Sequence, residues 1–134
     1  MKAEELMVGD YVQVSSTQKI VKIAAVHHKK IGYHVTEYKL SWVRQGLLCP
    51  IPLTSEILSK NGFVPLEEDS YIYKQLKDDK SDVDFRIVID LLVPYLSYID
   101  KHSIPKSSCS GEIRYVHDLQ QALRHCKIKK EIVL

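Results

Sequence analysis

Glycine and proline are scarce in this 134-residue chain, five of each, which excludes a collagen-like or a compositionally disordered protein. Long apolar runs are missing as well. The densest, residues 87–96, is broken by Asp90 and Pro94 and falls short of the about 20 apolar residues that a membrane-crossing helix needs. No apolar stretch follows Met1-Lys2-Ala3-Glu4-Glu5, so no secretory leader is expected. Cysteine is sparse and odd in number: Cys49, Cys109 and Cys126 stand far apart. That is no disulfide framework. The expectation is a reducing cytoplasm, with each cysteine a small half-buried hydrophobe. Surplus charge is nearly absent, since 19 Lys and Arg face 17 Asp and Glu for a net +2. No strong global field draws in nucleic acid or an anionic membrane.

What is present is the composition of an ordinary globular protein, 45% apolar and 27% charged, with a length that suits one domain or two small lobes sharing a core. The charge is uneven: +3 over residues 1–66, −4 over 67–90 and +3 over 91–134. The acidic segments 67–69 and 77–82 read as solvated turns.

The first third reads as β structure. Tyr11 to Val14 and Ile20 to Val26 are predicted strands around the polar turn Ser15-Ser16-Thr17-Gln18. His27-His28-Lys29-Lys30-Ile31-Gly32 is expected to be a loop in which Gly32 supplies a positive φ. Tyr33 to Thr36 and Leu40 to Val43 follow as short strands. Such a series predicts a small SH3-like barrel or half-barrel. Pro50-Ile51-Pro52 is extended and ends the β pattern. A short helix then starts at Thr54, with Glu56 in its first turn, Ile57 and Leu58 as anchors, and Gly62 just past its end beside Phe63.

Beyond residue 70 the pattern is mixed. Tyr71 to Leu76 and Val83 to Ile89 predict a hairpin around the acidic loop. Pro94 to Ile99 reads as another strand or as an irregular edge, Lys101 to Gly111 as a loop and Glu112 to Tyr115 as a short strand. Val116, Leu119, Ala122, Leu123 and Cys126 fall on one stripe of a terminal helix. Asp118 in its first turn and Arg124, His125 and Lys127 in its last suit the helix dipole. The apolar tail Glu131-Ile132-Val133-Leu134 is expected to pack. The expected fold class is therefore α+β, with a β-rich lobe over residues 1–53 and an α+β lobe over 54–134 forming one compact unit. A short central helix joins them, and the terminal helix packs on a second small sheet.

Three stretches stand out together: Glu5-Leu6-Met7-Val8-Gly9-Asp10-Tyr11-Val12, then Pro50-Ile51-Pro52-Leu53-Thr54-Ser55-Glu56-Ile57-Leu58 with Asn61-Gly62-Phe63, and Tyr115-Val116-His117-Asp118-Leu119-Gln120-Gln121-Ala122-Leu123. The set resembles a family of small uncharacterised proteins of bacterial phages and mobile elements, with patterns of the ELRIGNYV, PIPLTEEWLLKFGF and YVHQLQNLYFAL type. Met7 stands where that family usually has arginine. The resemblance implies a bacterial cytoplasmic setting and a mobile-element origin, and it carries over no catalytic or binding residue.

Candidate chemistry is thin. Six histidines and three cysteines include no C-x₂-C or H-x₃-H pair, so no metal site is expected. His27 and His28 are adjacent, and on a strand they would point to opposite faces. Cys109 in its Ser-rich loop lacks a catalytic signature. Asp78, Asp79, Asp82 and Asp84 alternate with lysines as solvated turns do. No G-x-x-x-x-G-K-[ST] or G-x-G-x-x-G motif occurs. His117, at the start of the terminal helix, reads as a cap or packing group.

One patch mixes cations with aromatics. Lys22, His28, Lys29, Lys30 and Tyr33, with Lys19 and Tyr38 nearby and Lys127, Lys129 and Lys130 in reserve, could hold phosphates and stack a base. The sequence therefore predicts a non-enzymatic accessory or interaction protein, with a protein partner or self-association, no cofactor, no catalytic residue and no membrane. The alternative is a nucleic-acid-binding module using that basic aromatic patch.

Overall fold

The computed structural model describes residues 1–65, 72–75, 88–91, 99–101, 104–106, 113–125 and 131–134. The chain divides into two compact units. One comprises Met1–Pro52 with Tyr115–His117, the other Leu53–Arg114 with Asp118–Leu134. The class is α+β, with a β-rich first part.

In the first unit, a 3₁₀ turn (Ala3–Glu5) precedes β1 (Tyr11–Val14), β2 (Lys19–His27), β3 (Lys30–Thr36) and β4 (Lys39–Arg44). A second 3₁₀ turn (Gln45–Leu47) leads to β5 (Leu48–Cys49). All pairings are antiparallel and the order is β4-β3-β2-β1-β5. β4 and β5 are the sheet's edges, so the sheet is open and no barrel closes. Val12, Val14, Val21, Ile23, Ile31 and Leu48 bury one face together with Ala3 and Leu6. The strict alternation in β1 is the reason: Val12 and Val14 are buried while Tyr11 and Gln13 are half-buried. β2 carries a bulge between Ile23 and Ala25, which resets its alternation and sharpens its bend.

The segment 27–32 is not a loop. β2 and β3 meet through a two-residue turn, His28-Lys29, with His27 paired to Lys30. The positive φ belongs to His28, at 49°, the first of two central turn residues and the sign that type II′ hairpin turns require. Gly32 therefore lies inside β3, free of any turn duty.

In the second unit, α1 (Ser55–Lys60) starts as its residues dictate, with Thr54 Oγ1 accepting a hydrogen bond from Ile57 N–H at 3.3 Å. Gly62, at φ 82°, terminates it, and Leu58 and Phe63 are buried. Asn61 does more than end the helix. Its amide accepts from Val133 N–H at 2.7 Å and donates to the Val133 and Ile57 carbonyls, each at 2.8 Å. The C-terminal tail is thereby held, and Ile132 is buried.

β6 (Phe63–Pro65), β7 (Ile72–Gln75) and β8 (Val88–Asp90) form a three-stranded antiparallel sheet. The pairing of β7 with β8 is the expected hairpin; its acidic loop and residues 83–87 lie outside the described residues. β9 (Ile99–Lys101), which begins at the end of the expected strand or edge 94–99, pairs with β10 (Ile104–Lys106), which lies within the expected loop 101–111; residues 94–98 lie outside the described residues. Pro105 disguises β10, because a proline reads as a strand breaker yet is tolerated on an edge strand, and among the described residues β10 pairs with β9 alone. Of the expected strand Glu112 to Tyr115, Glu112 lies outside the described residues and Tyr115 makes a single bridge with Pro52. α2 (Val116–His125) follows, with Val116, Leu119 and Leu123 buried. Asp118 Oδ2 accepts from Arg114 N–H at 3.1 Å, tying the helix start. Cys109, Cys126, Lys127, Lys129 and Lys130 lie outside the described residues. Among those described, no helix is long and apolar enough to cross a membrane.

Candidate nucleic-acid interface

The first sheet buries one face, and the register decides what its other face displays. Residues paired across antiparallel strands share a face. His27 pairs with Lys30, and Lys30 with Arg44, so these three form one row across β2, β3 and β4. Ala25 pairs with Gly32, and Gly32 with Trp42, which gives the next row. His34 opposite Leu40 gives a third. Rows on one face are about 7 Å apart along the strands. Ile31, Tyr33 and Val43 belong to the opposite face and pack on the core.

The middle row makes a platform. Gly32 has no side chain, and the Trp42 ring lies over it: a Cβ at Gly32 would stand 3.3 Å from three ring atoms. Gly32 is buried beneath the indole, whereas Trp42 is 50% exposed. The indole is thus braced from behind and open in front. Leu40 adds 40% exposed apolar surface beside it.

The first row is cationic. Lys30 and Arg44 stand directly opposite, with Cβ atoms about 5 Å apart, a like-charge pairing that destabilises a ladder. An open depression of about 520 Å³ adjoins them, lined by Lys29, Lys30, Arg44, Gln45, Gly46 and Leu47. Main-chain and side-chain bonds of Gln45 tie its wall to the strand end and to the N-terminal turn. Gln45 N–H donates to the Lys29 carbonyl at 2.8 Å, and Gln45 Oε1 accepts from Ala3 N–H at 2.7 Å. Within residues 27–44 the one carboxylate is Glu37. It sits in the far turn of the β3–β4 hairpin, about 20 Å along the strands from Lys30.

Of the residues singled out from sequence, Lys29 and Lys30 line the depression. His28 holds the adjoining turn, its ring edge-on to His27 at 4.4 Å. The left-handed φ of His28 brings the two imidazoles together, where a regular strand would have separated them. Lys22 lies on the outer face beyond the bulge, with Nζ 5.7 Å from the centre of the Tyr11 ring. Tyr33 is not part of this face: it alternates with Lys30 and Gly32 and packs inward. The aromatic of the patch is Trp42, and Arg44 is its third cation; neither was singled out. The signal for both was the alternation Leu40-Ser41-Trp42-Val43-Arg44, which acquires meaning only once the His28-Lys29 turn sets the register.

The other candidates fall elsewhere. His117 is buried in the first turn of α2, stacked on Tyr115 at 5.7 Å with 7° between planes. Cys49 is free and half-buried. Among the described residues no three His, Cys, Asp or Glu side chains group as metal ligands.

Comparison of the chain with family models, with curated proteins and with solved structures found no match.

Proposed function

We propose that this chain is a non-enzymatic accessory protein of phage or mobile-element kind, working in the bacterial cytoplasm, and that the partner its surface fits best is nucleic acid. The observation that carries this reading is the pair of adjoining rows on the first sheet: His27, Lys30 and Arg44 beside Trp42 on Gly32. Cations at the first row attract phosphate, and an exposed indole offers every base a stacking surface. An anion between Lys30 and Arg44 would also relieve their mutual repulsion. The net charge of +2 does not oppose this, because Lys29, Lys30 and Arg44 adjoin one another at one end of the β3–β4 hairpin, away from its single carboxylate, Glu37.

The same sheet supports reading the first unit as an SH3-like half-barrel. Four strands follow one another as a meander, and a 3₁₀ turn returns the chain so that β5 pairs with β1. The bulge in β2 supplies the bend that such a half-barrel needs.

The alternative, a protein partner or self-association, would use the same exposed Trp42 and Leu40. Fluorescence anisotropy with labelled single- and double-stranded DNA and RNA at about 50 mM salt separates the two, since backbone contacts are strongest there. Binding that weakens steeply with added salt is expected. No binding to any of the four would overturn the nucleic-acid reading and leave the protein partner.

A further inference from the structure

The two rows differ in what they can hold, and the difference selects among nucleic acids. A phosphate needs only charge, and any nucleic acid offers it. The braced indole needs an accessible base face. In a duplex the base faces are closed off by their own stack, whereas an unpaired base can be laid on an aromatic ring.

Trp42 is placed for that task. It lies on a strand rather than in a loop, with its inner face resting on Gly32. Arg44 is two residues along the same strand and Lys30 two residues along the neighbouring one. Each is therefore about 7 Å from the platform row. Lys29 and the depression lie beyond them, open rather than enclosed, so a chain can pass through.

We infer that this face binds single-stranded nucleic acid, with a base stacked on Trp42 and the adjoining phosphates held by Lys29, Lys30 and Arg44. This rests on the nucleic-acid reading above and narrows it to unpaired strands. The selectivity resides in the Trp42–Gly32 platform and the affinity for phosphate in the basic row.

Trp42 is the chain's sole tryptophan, so its emission reports this face alone. The experiment titrates the full chain at about 50 mM salt with three probes: an oligothymidylate of about ten nucleotides, a blunt DNA duplex of the same length, and inorganic polyphosphate. Quenching of Trp42 by the oligothymidylate is expected, with polyphosphate displacing it yet leaving the emission unquenched. The duplex should bind at least tenfold more weakly. Trp42→Ala should weaken binding of a labelled oligothymidylate about tenfold or more, and Trp42→Phe, which keeps a ring, should restore part of it. Duplex bound as tightly as single strand, with Trp42→Ala binding like the wild type, would overturn this inference and leave the broader reading intact. Failure of both nucleic acids to bind would overturn both. Emission that changes with protein concentration alone would assign the face to a second copy and also overturn it.

Discussion

Gly32 and Trp42 face each other across the β3–β4 ladder, and the indole lies close against the position at which a side chain on residue 32 would begin. A methyl there would lie 3.3 Å from each of three indole carbons. Gly32 has no left-handed φ, so alanine fits its backbone. Gly32→Ala should therefore change stability by no more than about 1 kcal/mol while lifting the indole towards water. A red-shifted Trp42 emission with a nearly unchanged melting curve is the expected result. Unchanged emission would mean that the ring does not rest on Gly32.

The like-charge pair makes a second prediction. Arg44→Glu places a carboxylate opposite Lys30 and replaces a repulsion with an attraction, which should stabilise the hairpin by about 0.2–1 kcal/mol. The same change should abolish oligonucleotide binding at moderate salt. Gain of stability with loss of binding is the signature of a position kept for its ligand. A variant that is less stable in a denaturant melt would contradict it.

Asn61 clamps the terminal tail. Asn61 makes two hydrogen bonds with Val133 and a third with the Ile57 carbonyl, and it is buried. Asn61→Ala should cost about 2–4 kcal/mol, since net values near 1 kcal/mol per bond are compounded by the buried groups left unpaired. Deleting residues 131–134 removes the same contacts and the buried Ile132. The two changes combined should cost much less than their sum, and additivity in urea melts would contradict the shared clamp.

Leu119 and Leu123, at i and i+4 on α2, are buried. Truncating either to alanine should cost about 2–5 kcal/mol. A melt of Leu123→Ala that overlays the wild type would show that the helix stripe does not carry the packing.

Much of this was legible in the sequence, and the failures share a cause. Thr54, Gly62 and the stripe on α2 act locally, through capping and helical spacing, so their roles follow from neighbours in the chain. The alternation in β1 follows from a period of two. The hairpin after β2 is hidden in the sequence because a histidine, His28, takes the positive φ expected of Gly32. Without that turn the register of β3 and β4 is hidden, and with it the outward face that Lys30, Trp42 and Arg44 share. From sequence alone Tyr33 therefore reads as a surface aromatic, and nothing marks Trp42 and Arg44 as facing outward. Strand register is a long-range property, and one turn residue determined it. β10 escapes the sequence for a different reason, since Pro105 argues against a strand unless the strand is known to be an edge.

The salt dependence of single-strand binding tests the central claim most directly. Three cations on the strand should give a log–log slope of about −2, and Lys30→Ala with Arg44→Ala should reduce it to about −0.7. Lys22→Ala, remote from the row and set against Tyr11, should leave it unchanged. A wild-type slope near zero, or a slope indifferent to Lys30 and Arg44, would contradict the assignment of this face to the phosphate backbone.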